Sequence, residues 1–469
     1  MTDGVPDGVD LSAVHLIGVG GAGMSGIARV LLARGAAVSG CDARDSRVLE
    51  ALRQLGADVY VGHDRAHVVR AGRGVTVVVS SAIRADNDEL IAAREQGNVV
   101  LRRGAALAAL MEGNRGIAVA GTHGKTTTTS MLTVALQQAG LDPSFAIGGD
   151  LNEPGSNAHQ GSGAIFVAEA DESDGSFLLL APEIAVVTNV EPDHLDHYGD
   201  AAAVDAAFDA FVGRIRADGS LVVCADDPGA RRVAEVARSA GVVVCTYGEA
   251  PDADVRIVEL VLTETGGSVT TLADANGEIG RQVLTVPGRH NALNATAALS
   301  VIHRLGIPLA AVAEGLKSFS GARRRMETKG SVRGVRVVDS YAHHPTEVVA
   351  DLRAARQLAG DGRVVAAFQP HLYSRTAFFA ADFGRALAGA DVVVVMDVYG
   401  AREDPVPGVT GALIADAVPA GTDVHYEPSW VAVPPLLASL AQRGDLVITL
   451  GAGDITQLGP VVLDELASR

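Results

Sequence analysis

Short apolar runs alternate with longer Ala/Leu-rich stretches along nearly the whole chain. In the first block, which extends to about residue 107, the apolar runs lie at 14–19, 36–39, 57–61 and 75–79. A glycine-rich turn follows the first run, and the stretches between the runs carry helical spacing. Short buried runs separated by helical segments are typical of α/β domains with mostly parallel sheets.

The same pattern continues in two further blocks, with one interruption. The second block has apolar runs at 116–120, 164–168, 184–188, 220–224 and 241–246, and the third has runs at 335–339, 363–368, 391–397 and 445–450. Between them, residues 254–286 form three extended runs joined by Gly-Gly and Asn-Gly turns, which predicts an antiparallel meander. A helix is predicted at 290–305, and a boundary within 318–330. No internal repeat is evident.

Composition narrows the class of protein. A chain of 469 residues is too long for one hydrophobic core and predicts several domains. Its 38 Lys and Arg against 56 Asp and Glu give a net charge of −18, which argues against a general nucleic-acid binder. Its beginning has no basic segment followed by an apolar one, and no apolar run is long enough to span a bilayer, so we expect a soluble cytoplasmic protein.

The three cysteines lie in or just after short Val-rich runs. Cys41, Cys224 and Cys245 lack the spacing of a metal or disulfide motif. We therefore expect buried, reduced thiols at the ends of strands.

A shortened phosphate loop follows the apolar run at 116–120. In GTHGKT, only two residues separate Gly121 from Gly124, whereas the usual P-loop has four residues between its glycines. A glycine-rich turn between a strand and a helix directs backbone N–H groups at an anion. Lys125 adds a mobile cation, and the Thr126 hydroxyl can ligate Mg²⁺. The loop predicts binding of nucleotide phosphates, and the helix after it begins with four threonines.

Acidic and histidine residues follow the next two strands of the same block. The run EADESD carries Glu169, Asp171, Glu172 and Asp174, and the run TNVEPDHLDHYGD carries Asn189, Asp193 and His194. Ligands bind at the carboxyl ends of parallel strands, which is also the edge where the phosphate loop lies. Because hard oxygen ligands suit Mg²⁺, these residues predict a metal site there.

A second glycine-rich loop follows the first strand of the chain. In HLIGVGGAGMSGIARVL, residues Gly18, Gly20 and Gly23 fit the G-x-G-x-x-G pattern, and Asp42 ends the second strand. This pattern is the dinucleotide fingerprint, so NAD and FAD are possible ligands, but it requires only a diphosphate and a ribose. A phosphate loop and a separate diphosphate loop in one chain suggest a nucleotide-activated substrate beside ATP.

Two polar segments of the third block also follow strands. DSYAHHPTEVV contains His343 and His344, and FQPHLYSRTAFF contains His371 and Arg375. Such a surface can hold a carboxylate through Arg375 and orient a small amine through the histidines.

With these segments the chain resembles the Mur ligase family over nearly its whole length. The segments, in the family's order, are HLIGVGGAGMSGIA, GTHGKTTTT, EADESDGSF, TNVEPDHLDHYG, PGRHNALNATAA, DSYAHHPTE, FQPHLYSRT and LGAGDI. The resemblance implies an α/β fold of three domains. These are a Rossmann-like domain for a UDP-sugar at 1–107, a central P-loop ATPase domain with an antiparallel excursion at 108–322, and a Rossmann-like C-terminal domain for the amino acid and ATP at 323–469.

The resemblance also implies roles for individual residues. Those implied in catalysis are Lys125, Glu169, His194, His343, His371 and Arg375, and those implied at Mg²⁺ are Thr126, Glu169 and His194. The implied ATP site comprises Gly121, Thr122, His123, Gly124, Lys125, Thr126, Thr127, His290, Asn291, Asn294, Arg325 and Asp339. The implied UDP-sugar site comprises Gly18, Gly20, Gly21, Ala22, Gly23, Met24, Ser25, Asp42, Ser80, Ala82, Arg102 and Asn189. Thr127 to Thr129 either line the phosphate pocket or cap and pack the helix.

The activity implied is ATP-dependent ligation of L-alanine to the carboxylate of UDP-N-acetylmuramate through an acyl phosphate, in cytoplasmic peptidoglycan precursor synthesis. FQPHLYSRT and Glu347 resemble the alanine-adding members. Two departures from the family pattern are Ser340, where a second aspartate is common, and Leu372, where arginine is common. The alternatives are ligation of a recycled tripeptide to the same UDP-sugar, an NAD-dependent oxidoreductase, and a non-catalytic nucleotide-binding regulator.

Overall fold

The computed structural model describes residues 8–148, 157–401 and 403–469. Three sheets with helices packed on them make up this part of the chain, so the α/β class predicted from the sequence is confirmed. Contacts divide the chain into two compact units. Unit 1 comprises residues 1–258, 271–281 and 293–316, and unit 2 comprises residues 259–270, 282–292 and 317–469.

The first sheet contains five parallel strands in the order β3-β2-β1-β4-β5. Its elements are β1 (Ala13–Ile17), α1 (Ala22–Ala33), β2 (Ala37–Asp42), α2 (Arg47–Gln54), β3 (Asp58–Val61), α3 (Arg65–Ala71), β4 (Thr76–Val79), α4 (Asp88–Glu95), β5 (Val100–Arg102) and α5 (Arg103–Met111). All four residues of β4 are buried, as expected for a parallel strand covered on both faces. The four predicted strands are confirmed, and β5 was not predicted because three residues give no periodicity.

The second sheet has ten strands in the order β15-β14-β13-β12-β11-β10-β6-β9-β7-β8. Its elements are β6 (Arg115–Ala120), α6 (Lys125–Gln138), β7 (Ser144–Ala146), β8 (Ala158–His159), β9 (Ile165–Glu169), β10 (Ile184–Val187), α7 (Leu195–Tyr198), α8 (Ala201–Val212), β11 (Ser220–Cys224), α9 (Pro228–Ser239), β12 (Val243–Gly248), β13 (Val255–Leu262), β14 (Ser268–Asp274), β15 (Gly277–Leu284), α10 (Arg289–Arg304) and α11 (Ala313–Lys317). Strand β6 lies between β9 and β10 and pairs in parallel with both. The carboxyl ends of these three strands therefore share one edge.

The predicted meander corresponds to β13, β14 and β15. Only Ala275 and Asn276 connect β14 to β15, and a link this short joins antiparallel neighbours because a parallel crossover needs about a dozen residues. The meander and the five parallel strands predicted in this block are confirmed. The two short strands β7 and β8 were not predicted, and they pair with each other antiparallel.

The third sheet has the order β16-β17-β21-β18-β19-β20. Its elements are β16 (Glu327–Val332), β17 (Val335–Ser340), α12 (Pro345–Ala359), β18 (Val364–Phe368), α13 (Tyr373–Leu387), β19 (Val392–Val395), α14 (Ala412–Ala415), β20 (Asp423–Tyr426), α15 (Val433–Leu440), β21 (Leu446–Leu450) and α16 (Leu458–Ser468). The four predicted strands are confirmed. The two edge strands were not predicted; β16 pairs antiparallel with β17 and begins inside the segment predicted as a boundary.

Two further predictions from composition concern membranes and thiols. In the described ranges, no helix combines the length and the apolar character needed to cross a bilayer. All three cysteines are free thiols: Cys41 and Cys224 are buried, as predicted, whereas Cys245 is only half-buried and lies inside β12 instead of at its end.

Candidate active site

The phosphate loop occupies the turn between β6 and α6, and its two glycines have backbone angles that other residues rarely adopt. Gly121 has φ +130° and Gly124 has φ +81°. A Cβ at Gly121 would lie 2.1 Å from Thr188 Oγ1, and a Cβ at Gly124 would lie 2.5 Å from Asn294 Oδ1. The compact form of the loop therefore requires glycine at both positions, for conformation and for space.

The residues after β10 hold the loop in place. The His123 N–H donates to Asn189 Oδ1 at 2.7 Å, and Asn189 Nδ2 donates back to the His123 carbonyl at 3.0 Å. The Thr188 hydroxyl donates to the same carbonyl at 2.6 Å. Asn189 was predicted to contact the UDP-sugar; here its amide positions the phosphate loop, and the sugar contact stays a prediction.

Lys125, at the first position of α6, is directed back into the loop. Its Nζ donates to the Gly121 carbonyl at 2.7 Å, to the Thr122 carbonyl at 3.1 Å and to Glu172 at 2.8 Å. Glu172, in the loop after β9, belongs to the acidic run that predicts the metal site, and the structure places its carboxylate against Lys125. The sequence signal for it was the acidic run itself, which does not tell which of its members meets the lysine.

Burial and the charges of neighbouring groups shift the pKa values of Lys125 and of the carboxylates next to it. Burial disfavours the ammonium, but Glu172, Asp171 and Glu169 outweigh it and raise the pKa of Lys125. Burial also raises the pKa of Glu172 to about 7, with Asp171 adding to the shift and Lys125 opposing it. Burial would raise the pKa of Asp171 too, but Arg103 and Lys125 lower it to about 2. The lysine is therefore a buried cation at neutral pH.

The residues proposed for Mg²⁺ offer a suitable donor set. The Thr126 hydroxyl donates to Glu169 Oε1 at 2.9 Å, and the Gly148 N–H donates to Glu169 Oε2 at 2.6 Å. His194 has φ +52°, and its Nε2 lies 3.6 Å from Glu172 Oε1 and 3.7 Å from Asp193 Oδ2. A hydroxyl and carboxylates at one sheet edge fit a hard cation, while the imidazole is a less usual ligand for it.

The threonines that follow Thr126 face the interior of the protein. Thr128 and Thr129 are fully buried, and Thr127 is nearly so. The Thr129 hydroxyl donates to the Lys125 carbonyl at 2.8 Å, one turn earlier in the helix. Of the two possibilities left by the sequence, packing of the helix accounts for Thr128 and Thr129.

In the diphosphate loop between β1 and α1, the first N–H groups donate hydrogen bonds to other parts of the protein and are not available to a ligand. Those of Gly18 and Val19 both donate to the Cys41 carbonyl at 2.9 Å, and that of Gly20 donates to Asp42 Oδ2 at 2.9 Å. The Ser25 N–H donates to the Gly21 carbonyl and makes the first hydrogen bond of α1. The N–H groups of residues 22–24 therefore have no acceptor within the helix and point outward from its N-terminus. These three donors, more than the first glycines, are placed to bind an anion.

The remaining residues predicted for the UDP-sugar lie around the same end of the first sheet. Met24 and Ser25 are buried on α1, Ser80 follows β4 with its N–H bonded to the Ile17 carbonyl, and Arg102 is exposed at the end of β5. The Ala82 N–H donates to Ser80 Oγ at 3.4 Å.

Arg103 lies between the diphosphate loop and the acidic run, both within unit 1. Its Nη2 is 2.8 Å from Asp171 Oδ2 and 3.8 Å from Asp174 Oδ2. A Cβ on Gly23 would lie 2.9 Å from Arg103 Nη1. A cleft lined by Gly23, Arg103, Glu169 and Asp171 extends from the diphosphate loop to the acidic run at the end of β9. Sequence reasoning missed Arg103, whose partners are 80 and 68 positions away in the chain.

Three residues predicted to handle the amino acid come together in unit 2. The His343 and His371 rings lie 6.0 Å apart, and Arg375 Nη1 lies 3.4 Å from His371 Nδ1. The Glu347 carboxylate accepts the His343 N–H at 2.9 Å. His344 does not join this group: it is buried, and its ring packs on Phe379. Leu372 takes φ +69°, a conformation rarely found for a residue with a side chain.

Four residues of the predicted ATP site also lie in unit 2. Asn291 Nδ2 donates to the Pro287 carbonyl at 2.7 Å, and Arg325 Nη1 lies 3.6 Å from Glu347 Oε1. Burial and the Arg325 charge lower the pKa of His290 to about 4. Asp339 is fully buried and accepts hydrogen bonds from the Thr449 and Thr456 hydroxyls at 2.7 and 2.6 Å. Both carboxylate oxygens of Asp339 are therefore already engaged within unit 2.

Asp351 lies beside these residues on α12, and its shifted pKa should make the unfolding free energy of the protein depend on pH. Burial raises its pKa to about 7; Glu347 adds to the shift, while the Ser340 hydrogen bond and Arg325 oppose it. An aspartate in the unfolded chain titrates near 3.9, so the stability this group contributes is fully present below about pH 4 and is lost as the pH rises through about 7. The unfolding free energy of Asp351→Asn minus that of the wild type should increase by on the order of 2 kcal/mol between about pH 5 and pH 7, because only the wild type loses stability there. Above that range the difference should stay constant.

Denaturant unfolding of both proteins across this pH range checks the prediction. Parallel pH curves for the wild type and the variant would contradict it.

Family models match three consecutive stretches of the chain. They are the Mur ligase family catalytic domain at residues 13–115, the Mur ligase middle domain at 119–302 and the Mur ligase glutamate ligase domain at 324–453.

Individual relatives match over nearly their whole length. The chain is 59% identical over 461 residues to the UDP-N-acetylmuramate–L-alanine ligase of Acidothermus cellulolyticus, which covers 98% of this chain and 96% of the relative. It is equally identical over 469 residues to the enzyme of the same name from Saccharopolyspora erythraea, with 98% and 95% covered. The crystal structure of the UDP-N-acetylmuramate-alanine ligase of Thermotoga maritima superimposes with a TM-score of 0.79 at 26% identity, covering 97% of this chain and 99% of that one.

Proposed function

The chain belongs to the Mur ligase family, and we propose that it joins L-alanine to the carboxylate of UDP-N-acetylmuramate at the expense of ATP. This is the first amino-acid addition in the synthesis of the peptidoglycan precursor. Relatives that bear this name are 52–59% identical to the chain over nearly all of its length. The observation that carries the proposal within the molecule is the cleft that extends from the diphosphate loop at Gly23, past Arg103, to Asp171 and to Glu169, the carboxylate that accepts a hydrogen bond from Thr126 of the phosphate loop.

The reaction requires two steps with balanced bonds. The muramate carboxylate attacks the γ-phosphorus of ATP, the bond to the ADP oxygen breaks, and an acyl phosphate forms. The neutral amine of L-alanine then attacks the acyl carbon and loses one proton to solvent, the C–O bond breaks, and phosphate leaves from a tetrahedral intermediate. The protein supplies position and charge, and no side-chain nucleophile is needed.

In this proposal each loop holds one reactant. The N–H groups of residues 22–24 bind the UDP diphosphate at the helix N-terminus, and the loop 121–126 holds the ATP phosphates. Lys125 offsets the charge that spreads over the transferring phosphoryl oxygens. Arg103, at the wall shared by both sites, adds a second fixed cation. In unit 2, Arg375 holds the L-alanine carboxylate, and His343 and His371 orient its amine.

The metal expected in this family is Mg²⁺, and the residues Thr126, Glu169 and His194 would hold it. When bound, Mg²⁺ neutralises charge on the phosphate oxygens and orients them. The Thr126 hydroxyl now rests on Glu169 at 2.9 Å, so both oxygens face one position at the end of β9. Glu169 is fixed through its second oxygen by the Gly148 N–H.

Thr126→Ala should therefore weaken the use of magnesium. We expect the apparent KM for Mg²⁺ to rise about 10-fold, with a smaller loss of kcat at saturating Mg²⁺, because one oxygen ligand is removed while Glu169 remains. Thr126→Ser keeps the hydroxyl and should restore the wild-type KM. Mg²⁺ titrations of ADP release at saturating ATP measure this, and equal KM values for Thr126→Ala and Thr126→Ser would contradict the assignment.

Release of ADP tests the function as a whole. The purified chain should release ADP only when ATP, Mg²⁺, UDP-N-acetylmuramate and an amino acid are all present. L-alanine should be preferred over the tripeptide carried by the recycling members of the family, with glycine and L-serine as further competitors. ADP release that depends on the tripeptide and not on L-alanine would support the recycling ligase, and binding of nicotinamide nucleotides without ADP release would support an oxidoreductase.

A further inference from the structure

Five titratable side chains meet on one face of the first sheet, in contact with its apolar core. They are His15 on β1, Cys41 on β2, His63 after β3, His67 on α3 and Glu89 on α4, and we refer to them as the His-Cys-Glu cluster. His15, Cys41 and Glu89 are fully buried, while the side chains of His63 and His67 are 23% and 15% exposed. The proposed function uses none of these side chains.

Three donor atoms of the cluster converge on one point, and His63 contacts two of them. The potential ligand atoms of His15, Cys41 and Glu89 all lie within 4.8 Å of one another. Cys41 Sγ contacts Glu89 Oε2 and lies 3.1 Å from His63 Nδ1. His63 Nδ1 is 3.5 Å from Glu89 Oε2, and His15 Nε2 is 3.9 Å from the same oxygen. Donors bound to one tetrahedral Zn²⁺ at 2.0–2.3 Å are about 3.3–3.8 Å apart, so the separations of His63 and His15 are close to those of a metal site, whereas the Cys41–Glu89 contact must open to admit the ion.

One atom of the cluster is not satisfied by hydrogen bonds. His15 Nε2 is buried and makes no hydrogen bond to any residue in the described ranges, although it faces Glu89. A buried polar atom left in this state destabilises the folded protein. The other nitrogen of the ring, Nδ1, lies 2.9 Å from Ser39 Oγ. If Nδ1–H donates to Ser39, the lone pair of Nε2 points at the cluster, which is the state a metal ligand requires.

One carboxylate oxygen of Glu89 is fixed by neighbouring residues, as is usual for a carboxylate that binds a metal through its other oxygen. Its Oε1 accepts the Asp64 N–H at 3.1 Å and lies 2.5 Å from His67 Nδ1, which leaves Oε2 directed toward Cys41, His63 and His15. His67 in turn stacks on Tyr60, with ring centroids 4.3 Å apart. Outer contacts of this kind fix the orientation of a carboxylate before a metal arrives.

We propose that His15, Cys41, His63 and Glu89 form a Zn²⁺ site in the N-terminal part of unit 1. Two imidazoles, one thiolate and one carboxylate are borderline ligands that suit zinc, whereas Mg²⁺ takes oxygen ligands almost entirely. On binding, the Cys41 thiol loses its proton to solvent and the metal takes its place between Sγ and Glu89. The partly exposed His63 provides the side from which the ion enters.

The position of the site gives it a structural role. It joins β1, β2, α4 and the link between β3 and α3, four elements that approach from different parts of the chain. The Cys41 carbonyl also receives the N–H groups of Gly18 and Val19, at the base of the diphosphate loop. A metal on Cys41 therefore stabilises the support of that loop without contacting its ligand.

Cobalt substitution provides the test, because a thiolate bound to Co²⁺ gives a charge-transfer absorption band. The full chain, freed of metal with a chelator, should bind Co²⁺ with this band at one ion per chain, and Zn²⁺ should displace it. Cys41→Ser should abolish the band. Cys224→Ser removes another buried cysteine at the end of a strand and should leave it unchanged. Co²⁺ at the oxygen-rich site of Thr126 and Glu169 gives no thiolate band, so the two sites are distinguished.

A second variant keeps the proposal testable if Cys41→Ser does not fold. His63 is at the edge of the cluster, so His63→Gln should fold while it weakens Co²⁺ affinity by at least about 10-fold. Absence of the thiolate band in the wild type, or equal bands in Cys41→Ser and Cys224→Ser, would overturn the proposal. The cluster would then be a metal-free hydrogen-bonded network around Glu89.

Discussion

Replacing Lys125 with alanine should lower kcat about 10³-fold while the protein still binds its UDP-sugar. Lys125 is the buried cation of the phosphate loop, and the surrounding acids raise its pKa, so it is charged at neutral pH. Loss of one oxyanion-hole hydrogen-bond donor costs about 10²–10³ in kcat, and a cation on a transferring phosphoryl group is worth about 10³ or more. Steady-state ADP release, with thermal unfolding of both proteins, measures the effect.

The variant also removes the partner of a buried carboxylate. Lys125 contacts Glu172 at 2.8 Å, so Lys125→Ala alone leaves Glu172 to take up a proton. The double variant Lys125→Ala with Glu172→Gln removes both charges and should regain stability but not activity. Lys317→Ala, at the end of α11, is the matched control and should keep wild-type kcat. A Lys125→Ala protein with more than a tenth of wild-type kcat would show that the loop is not the ATP site.

A second large effect is expected at Gly124, whose matched control is at the other end of the same helix. Gly124 and Gly140 flank α6 and have nearly equal backbone angles, φ +81° and φ +75°. A Cβ on Gly124 would lie 2.5 Å from Asn294 Oδ1, whereas a Cβ on Gly140 meets nothing within 4 Å. Both alanine variants should lose about 1 kcal/mol from the positive φ.

Only Gly124→Ala should also impair catalysis. To make room for the methyl group, either the loop moves and displaces Lys125 and Thr126 from their contacts with Glu172 and Glu169, or the buried Asn294 side chain, itself assigned to the ATP site, moves instead. A shift of about 1 Å in a positioning loop costs about 10²-fold, so we expect that loss in kcat/KM for ATP, against less than about 3-fold for Gly140→Ala. Equal kcat/KM values for the two variants would mean that Asn294 does not constrain the loop.

Local features of the site were readable from the sequence because they lie within a few residues of one another. The strand, the turn and the helix around GTHGKT occur in one short stretch, as do those around the diphosphate loop. The long-range partners were not readable. Lys125 meets Glu172 and the loop meets Asn189 only because β6 lies between β9 and β10. That strand order is a property of the folded sheet and not of any sequence window.

Shortness and polarity account for the missed strands β5, β7, β8 and β16. Strands β5, β7 and β8 contain two or three residues, too few for any alternation to be measured. Strand β16 carries Glu327, Lys329 and Gly330 at a sheet edge, where one face is partly solvated. Its pairing with β17 overrides its weak strand propensity.

The partners of Cys41 could not be predicted from the spacing of residues in the sequence. Its burial was predicted from the Val-rich run before it, and metal binding was set aside because no motif surrounds it. The residues that meet it are 22, 26 and 48 positions away and come together only through the sheet order β3-β2-β1-β4. A ligand set assembled from several strands leaves no sequence motif.

Oxygen transfer tests the ligase reaction most directly. UDP-N-acetylmuramate labelled with ¹⁸O in its carboxylate is converted with ATP, Mg²⁺ and L-alanine, and the phosphate released is analysed by mass spectrometry. If the carboxylate attacks the γ-phosphorus and the amine then displaces phosphate, each turnover must yield one ADP, one amide and one phosphate that carries a single ¹⁸O from the sugar. Release of phosphate without ¹⁸O would show that water cleaves the ATP, and would contradict the account.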